Sequence, residues 1–302
     1  MVDWQNIAYG LIANFFKLTG MIPRKWAYRL SHFIGLIFFH VDRKHQKIAL
    51  SNLTNAFKNE KDNHEIRKIA KQVFKNLALI LFEIGWSLTL TKKEFSKHFI
   101  VDGLSRLETA HKKGKGVLVF SAHAGNWELV PVASTRIGYQ ISILFRPLDF
   151  PPLNRFFLTI RSRFGANMVS TARSMRKILQ NLKQGGLIGI LMDQNVDWYE
   201  GVFVDFFGRR ACTNKGLALL ALKTRAPVIP IFLVREKTGF RVEIGEEIPL
   251  VKTGDKIKDI EANTQQYNNA IEAFVRRYPD QWFWVHQRWK TRPYWPWPRK
   301  DG

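Results

Sequence analysis

The sequence contains very little cysteine and comparatively few acidic residues. Cys212 is its single cysteine, so the chain cannot form an internal disulfide, and nothing favours an oxidising compartment. Asp and Glu total 25 against 47 Lys and Arg, which gives a formal net charge of +22. A charge of this size implies an acidic partner: nucleic acid, an anionic membrane surface, or an acidic protein or substrate. The charge alone does not choose among these.

Long hydrophobic runs are also missing. The longest uncharged runs near the start are residues 4–16 and 30–41, both shorter than the roughly 18 residues that a spanning helix needs. The segment between them contains Pro23 and several basic residues: Lys17, Arg24, Lys25 and Arg29. We expect two amphipathic helices that lie in a membrane interface, with packing on the domain core as the alternative. The start has no basic segment followed by a cleavage site, so we expect no signal peptide.

Metal-binding and nucleic-acid-binding motifs are missing as well. None of the eight histidines lies in a His-Glu-x-x-His sequence or a comparable ligand cluster, so we expect no bound metal. The sequence has no zinc-finger spacing, no helix-turn-helix signature and no RNP sequence. We therefore expect no nucleic-acid partner, although the charge and the aromatic, basic tail at 281–298 keep this class open as the main rival.

The pattern that is present changes along the chain. Helical periodicity covers much of residues 1–90, and from about residue 115 short β-rich runs alternate with helices. The expected strands are 116–122, 141–146, 187–192, 228–234 and 240–244. The expected helices are 127–138, 153–164, 174–183, 215–224 (with Thr213 as its N-cap) and 260–277. The alternation predicts an α/β sheet with helices on its faces.

The hexapeptide His123-Ala-Gly-Asn-Trp-Glu128 concentrates the chemistry. It follows the apolar run 116–122, so His123 is expected at a strand end, with a turn after it and a helix opening near Glu128. A histidine near a glutamate is usually an ordinary surface or core pair. However, open α/β sheets place their sites where a strand gives way to a new helix. We therefore predict that His123 is a general base and that Glu128 reaches back to hold its ring.

The hexapeptide resembles the His-x-x-x-x-Asp/Glu motif of the glycerolipid acyltransferase superfamily, and its Gly-Asn-Trp resembles the bacterial lipid A late acyltransferases. Four further blocks are similar and stand in the family's order: 43–57, 146–165, 192–213 and 279–293. The resemblance implies a mixed central sheet flanked by helices, with membrane-associating helices at 1–42 and an acyltransferase domain at 43–302. The sequence departs from the family pattern in two places. Phe150 stands where the family commonly has Asn before Pro, and the N-terminal hydrophobic helix is shorter than in many members.

The resemblance also implies an activity and its participants. A fatty acyl chain would pass from acyl carrier protein, or from acyl-CoA, to a hydroxyl of a lipid A-type precursor, with no cofactor and no covalent acyl-enzyme. The expected partners are acyl carrier protein and a lipid acceptor in an anionic membrane. The expected location is the cytoplasmic face of the cell inner membrane. Three alternatives remain open: a lysophospholipid acceptor, a mannosylated glycolipid acceptor, and a catalytically dead membrane-binding scaffold, the last disfavoured.

By residue match, the family's functional arginine and aspartate fall on Arg161 and Asp193. The match to Arg161 leaves two alternatives open. Arg163 matches the family's arginine almost as well, and Arg161 can instead be an ordinary solvated charge on a helix. Asp193 follows the apolar run 187–192 and therefore stands at the end of a second strand, which supports a site role independently. The predicted substrate-binding residues are Arg161, Asp193, Gln194, Arg146 and Asn126.

Three further features of an acyl-transfer site have candidates in the sequence. A basic rim for acceptor phosphates would also use Arg209, Arg210 and Lys215. An apolar channel for the acyl chain would use Phe203, Phe206 and Phe207, with ordinary core packing as the alternative. Backbone N–H groups around Gly125 and the opening helix, or an arginine, would stabilise the developing oxyanion.

The tail at 281–298 is expected to form a membrane-interface aromatic belt, to pack across the domain, or both.

Overall fold

The computed structural model describes residues 4–171 and 174–293. In that part of the chain the helices are α1 Trp4–Met21, α2 Arg24–Val41, α3 Arg43–Phe57, α4 Asn63–Thr89, α5 Lys92–Ser96, α6 Leu104–His111, α7 Val130–Ile137, α8 Pro151–Ser162, α9 Met175–Lys183, α10 Gly216–Thr224 and α11 Lys256–Arg277. The strands are β1 Phe99–Asp102, β2 Val117–Ser121, β3 Ile141–Phe145, β4 Asn167–Ser170, β5 Leu187–Leu191, β6 Gly201–Phe206, β7 Arg209–Asn214, β8 Val228–Arg235 and β9 Phe240–Ile244.

Seven of these strands form one mixed sheet in the order β1-β9-β8-β2-β5-β3-β4. The β8–β9 pair is antiparallel, and the other neighbouring pairs are parallel. The central strands β2 and β8 are apolar along almost their whole length and are buried, as expected for a sheet covered on both faces. The prediction of a mixed central sheet flanked by helices is confirmed.

Alternate residues of the central strands divide the interior into two layers. Leu118 and Phe120 of β2 belong to a core that includes α3, α10 and α11, whereas Val117 and Val119 belong to a second core on the other face. Side chains of a strand alternate between the faces, so one apolar run supplies both cores. Both faces of the sheet are therefore packed against a core, and the loops at the strand ends extend from buried strands.

The expected elements at 116–122, 141–146, 187–192, 228–234 and 240–244 are present with ends shifted by at most one residue. The expected helix 127–138 is divided into a 3₁₀ turn, Trp127–Leu129, and α7, which has a proline in its first turn. Pro131 has no N–H for a helical bond back to residue 127, which explains the division. The strands β1, β4, β6 and β7 were not expected: β1 and β4 have only four residues at the sheet edges, and β6 and β7 pair only with each other. Thr213 lies in β7, and Asn214 Oδ1 instead accepts from the Gly216 N–H (2.7 Å).

The two N-terminal helices pack on the rest of the chain through their inner faces. A Cβ atom added at Gly20 of α1 would lie 2.2 Å from the Gly85 carbonyl oxygen of α4, so the two backbones touch and neither position has room for a side chain. Phe16 of α1 stacks on Phe156 of α8, with ring centroids 4.6 Å apart. Within the described residues, no helix combines the length and apolar character required to cross a membrane.

The opposite faces of α1 and α2 expose large apolar side chains to solvent. The spacing follows the helical repeat, for example at 4, 7, 11, 15 and 18 in α1 and at 26, 30, 33, 37 and 41 in α2. This surface is called the outer apolar face below. Its members are Trp4, Ile7, Leu11, Phe15, Leu18, Met21, Trp26, Tyr28, Leu30, Phe33, Ile37, Phe38 and Val41.

Candidate active site

The register of two parallel strands brings His123 and Asp193 together. β2 and β5 are direct neighbours, and Ser121 of β2 is paired with Leu191 of β5. His123 and Asp193 each stand two residues beyond this pair, so both leave the sheet at the same edge. This is the edge at which open α/β sheets bind their ligands.

The carboxylate of Asp193 holds the imidazole of His123. His123 Nδ1 lies 2.8 Å from Asp193 Oδ1, and the His123 backbone N–H donates to Oδ2 at 2.9 Å. Asp193 is buried, with 1% of its side chain exposed, whereas 19% of the His123 side chain remains exposed. An ionised carboxylate only accepts hydrogen bonds, so Nδ1 must carry the proton of the neutral ring. Nε2 is then the nitrogen with a free lone pair, as a general base requires.

The surroundings of Asp193 favour its ionised form. Burial on its own would raise the pKa of Asp193, but attraction to His123 and hydrogen bonds from His123 and Trp282 hold that pKa below its ordinary value. Trp282 contributes its indole N–H to Oδ2 at 2.8 Å. Two further ionisable groups lie near the carboxylate: burial lowers the pKa of His286 to about 4 and that of Arg288 to about 10.

Glu128 does not occupy the position expected for it at the His123 ring. Its carboxylate forms a bidentate pair with Arg161, with distances of 2.7 Å to Nε and 2.8 Å to Nη2. The Trp127 indole N–H donates to Glu128 Oε1 at 3.0 Å. The orienting carboxylate of His123 is therefore that of Asp193, and Glu128 instead anchors an arginine. The turn after His123 directs the Glu128 side chain toward α8, which carries Arg161 near its end.

The ring of Trp127 lies between the His123–Asp193 pair and the Glu128–Arg161 pair and contacts both. It contacts the His123 ring edge to face, with centroids 5.4 Å apart, while its N–H binds Glu128. Phe283 lies against the same indole, also at 5.4 Å. The side chains of His123 and Arg161 thus belong to one cluster, and 17% of the Arg161 side chain is exposed at its surface. Arg163, the alternative match, donates instead to the backbone carbonyls of Ser87 and Leu90.

Asn126 is fully buried and faces the protein interior, in contrast to the substrate-binding position expected for it. Its amide donates to Glu83 Oε2 at 2.9 Å. Glu83 in turn forms a buried bidentate pair with Arg235, at 2.6 and 2.7 Å, and Arg235 also reaches the Gly125 carbonyl at 3.3 Å. These contacts fasten the turn of the hexapeptide to α4 and to the end of β8.

Gly125 is the position at which the turn requires glycine. Its φ of +59° lies in the left-handed region, and a Cβ atom would stand 2.2 Å from the Leu233 carbonyl oxygen. The Gly125 N–H donates to the Gln281 carbonyl at 2.9 Å. This N–H is therefore not available to a substrate oxyanion, which corrects the expectation for that group.

The segment after α11 completes the site from a distant part of the sequence. Phe283 N–H donates to the His123 carbonyl at 3.0 Å, and Trp282 forms an antiparallel bridge with Ala124. Arg288, which is fully buried, donates to the carbonyl of Cys212 at 2.8 Å and to the hydroxyl of Thr213. Of the two expectations for the aromatic tail, packing across the domain therefore holds for residues 281–293. Residues 294–298 lie outside the described part of the chain.

The remaining candidates have different environments. Arg146 directly follows β3 at the same sheet edge and is exposed, and Gln194 follows Asp193 and is partly buried. Phe206 and Phe207 are buried against the rings of Trp282 and Trp284, so they belong to the core rather than to an open channel. Arg209 and Arg210 are exposed on β7, while Phe203 and Lys215 are partly buried. Among the described residues, no group of three or more His, Cys, Asp or Glu side chains is placed to hold a metal ion.

Glu83, Arg235 and Trp282 contribute to the site but were not expected there from the sequence. Glu83 is a lone carboxylate in the apolar stretch 77–86, and Arg235 ends the apolar strand β8. Each is a charge within buried surroundings, which signals a paired partner. Trp282 had no comparable signal, because an indole in an aromatic-rich segment is most often core.

The chain is similar to proteins of one family over nearly its whole length. The family model described as bacterial lipid A biosynthesis acyltransferase matches residues 5–291. A lipid A biosynthesis acyltransferase of Haemophilus influenzae is 27% identical over 290 residues, which is 95% of this chain and 87% of that relative.

Two relatives from Escherichia coli K12 are named by the acyl group they transfer. The lipid A biosynthesis palmitoleoyltransferase is 26% identical over 260 residues, 83% of this chain and 80% of that protein. The lipid A biosynthesis lauroyltransferase is 24% identical over 280 residues, 91% of this chain and 89% of that protein. Because the two names differ in the acyl group, the similarity supports acyl transfer in lipid A biosynthesis without specifying a chain length.

Proposed function

Because the chain belongs to the bacterial lipid A biosynthesis acyltransferase family, we propose that it moves a fatty acyl chain from an acyl thioester to a hydroxyl of a lipid A-type glycolipid. The observation that carries this proposal is the His123–Asp193 pair at the ligand-binding edge of the sheet. A buried carboxylate and a partly exposed imidazole are the parts needed to activate a hydroxyl.

In the proposed reaction His123 handles the proton. Nε2 takes the proton of the acceptor hydroxyl as its oxygen attacks the thioester carbonyl, and Asp193 stabilises the imidazolium that forms. The tetrahedral intermediate then expels the thiolate, which takes the proton back from Nε2. The products are the ester and a free thiol. No serine or cysteine is needed as a covalent carrier in this scheme.

Arg161 is proposed to stabilise the negative charge that develops on the thioester oxygen. Two of its five N–H groups bind Glu128, which leaves three donors on the guanidinium. The Glu128 pair fixes the orientation of the guanidinium, so that these donors need not reorganise during the reaction. Glu128 thus acts through Arg161 in this proposal, and exposed Arg146, together with Gln194, would bind the acceptor's polar groups.

The proposed donor is acyl carrier protein, with acyl-CoA as the alternative, and no cofactor is proposed. A net charge of +22 favours association with an acidic carrier and with anionic lipid. The proposed location is the cytoplasmic face of the inner membrane, where both would be present.

The outer apolar face is proposed to bind the membrane surface. Exposed Lys17, Lys25 and Arg29 flank it and would meet anionic headgroups. Trp4 of this face lies 6.1 Å from Phe150, ring to ring, and Phe150 is itself exposed in the loop after β3. The apolar surface therefore reaches the loop after β3, a strand that ends at the same sheet edge as β2 and β5, which supports delivery of a lipid acceptor directly from the membrane.

The activity is tested with purified full-length protein, acyl-carrier protein or acyl-CoA as donor, and a lipid A precursor as acceptor, with the product detected by mass spectrometry. His123→Ala should abolish transfer, whereas His64→Ala, an exposed histidine in the first turn of α4, should not change it. Parallel reactions with a lysophospholipid and a mannosylated glycolipid test the other acceptors. Full activity of His123→Ala, or tight salt-dependent nucleic-acid binding without transfer, would contradict the proposal.

Membrane binding is tested by flotation with vesicles that contain anionic phosphatidylglycerol. Leu11 and Phe33 are 67% and 64% exposed, so replacing both with Asp should leave the fold intact. Losing the burial of two large apolar side chains should weaken partitioning by about 100-fold or more. Ile257→Asp is the matched control, because Ile257 is 70% exposed but lies on α11. Equal binding of the double variant and the control would refute a role for the outer apolar face.

A further inference from the structure

Trp282 supplies one of three N–H groups that converge on the carboxylate of Asp193. Its indole N–H lies 2.8 Å from Oδ2, the oxygen that also accepts from the His123 backbone N–H. Oδ1 is bonded to the His123 ring. With both oxygens engaged, the carboxylate cannot rotate without breaking a charge-assisted hydrogen bond.

The position of Trp282 is itself closely determined. The residue forms a β-bridge with Ala124, immediately after His123. Its ring packs against Phe206 and Trp284, with centroids 5.4 and 4.6 Å away. Only 2% of Trp282 is exposed, so it does not form part of a substrate surface. An effect of Trp282 on the reaction is therefore indirect, and Asp193 is the ionisable group to which its side chain is hydrogen-bonded.

Trp284 provides an internal comparison. It is as buried as Trp282, packs in the same aromatic cluster and also uses its indole N–H, but it donates to the Pro279 carbonyl at 2.6 Å. If these indoles only filled the core, the two residues would be equivalent. Their indole N–H groups differ in the acceptor, which is the Asp193 carboxylate for Trp282 and a backbone carbonyl for Trp284.

We propose that Trp282 is a positioning residue that fixes the carboxylate of Asp193 and, through it, the ring of His123 for proton transfer. The kinetic part of this inference rests on the acyl transfer proposed above. The hydrogen bond also helps to keep the carboxylate ionised, so its removal should raise the pKa of Asp193 toward the ordinary range.

The test compares Trp282→Phe with Trp284→Phe in the full-length protein. Trp282→Phe should lower kcat by about tenfold, the fold-change equal to about 1.4 kcal/mol and close to the low end for a hydrogen bond to a charged group. KM should stay within about twofold, since Trp282 does not touch substrate. Trp284→Phe should keep kcat close to that of the parent. Replacing Trp282 with benzothienylalanine, which has sulfur in place of the indole N–H, repeats the test with the ring shape preserved.

A second readout does not depend on activity. In protein labelled with ¹³C at the aspartate carboxyl carbons, the Asp193 signal is identified by its loss in Asp193→Asn. Its acid titration should begin at higher pH in Trp282→Phe than in Trp284→Phe. The label separates Asp193 from the other ionisable groups that face it, His123, His286 and Arg288, which both variants retain.

The outcomes separate this inference from the proposed function. Lower kcat and the shifted titration, in both Trp282 variants and not in Trp284→Phe, would support the inference. Identical kcat and identical Asp193 titration in the two Phe variants would overturn it. If the parent protein transfers no acyl group, the proposed function fails, and the titration alone still decides whether Trp282 controls Asp193.

Discussion

Asp193→Asn tests which carboxylate orients His123. Asp193 accepts three hydrogen bonds from N–H groups, two on Oδ2 and one on Oδ1. An asparagine can keep the two bonds at Oδ2 if its amide oxygen lies there. Its NH₂ group then faces His123 Nδ1, which must become an acceptor. The ring proton moves to Nε2, and the nitrogen that should act as the base is blocked.

This tautomer change determines the expected magnitude. Where a histidine base depends on a buried aspartate, the same substitution lowers kcat by about 10⁴-fold, or about 5.5 kcal/mol. The free energy of unfolding should fall much less, by about 1.5–3 kcal/mol, because hydrogen bonds to a charged carboxylate are replaced by hydrogen bonds to a neutral amide. Rates of acyl transfer and urea unfolding of the same samples measure the two quantities.

The pH dependence of that stability difference has a defined sign. The pKa of Asp193 lies below its ordinary value of 3.8 in the folded protein, so the stabilisation by its ionised form is complete above that value. It is lost as the pH falls through the folded pKa, below 3.8. The gap in unfolding free energy between the parent and Asp193→Asn should therefore be constant near neutral pH and shrink under acid. Activity of Asp193→Asn within tenfold of the parent would refute the assignment of Asp193 to the ring.

Two further predictions concern the other ion pairs. In a double-mutant cycle on unfolding free energy, Glu128→Gln and Arg161→Gln should couple by about 1–3 kcal/mol, because the two side chains share two hydrogen bonds; additive effects would contradict the pairing. Glu83→Ala should cost about 3–5 kcal/mol in urea unfolding, since it leaves Arg235 charged, buried and unpaired. Glu60→Ala, which removes a partly exposed ion pair, should cost no more than about 1 kcal/mol; equal losses in the two would contradict the importance of burial.

Most of the central strands of the sheet could be predicted from the local pattern of apolar residues. Apolar runs such as 187–192 and 228–234 identified the central strands because buried parallel strands are apolar along their whole length. The four-residue edge strands β1 and β4 could not be predicted from the sequence, since such short segments are defined by pairing with a neighbour rather than by their own residues. The outer apolar face was anticipated as amphipathic helices, but which side packs inward depends on the contact of Gly20 with Gly85.

The sequence by itself determined that His123 and Asp193 each follow a buried strand, and its motifs were sufficient to indicate the family. Only the tertiary structure decided which groups pair. Asp193 is 70 residues from His123 in the chain and reaches its ring through the register of β2 and β5, whereas Glu128, five residues away, is turned at Gly125 toward Arg161. Hydrogen bonds depend on distances and directions in space, and strand register sets these independently of separation along the chain. For the same reason Trp282, from the far end of the chain, completes the environment of the His123–Asp193 pair.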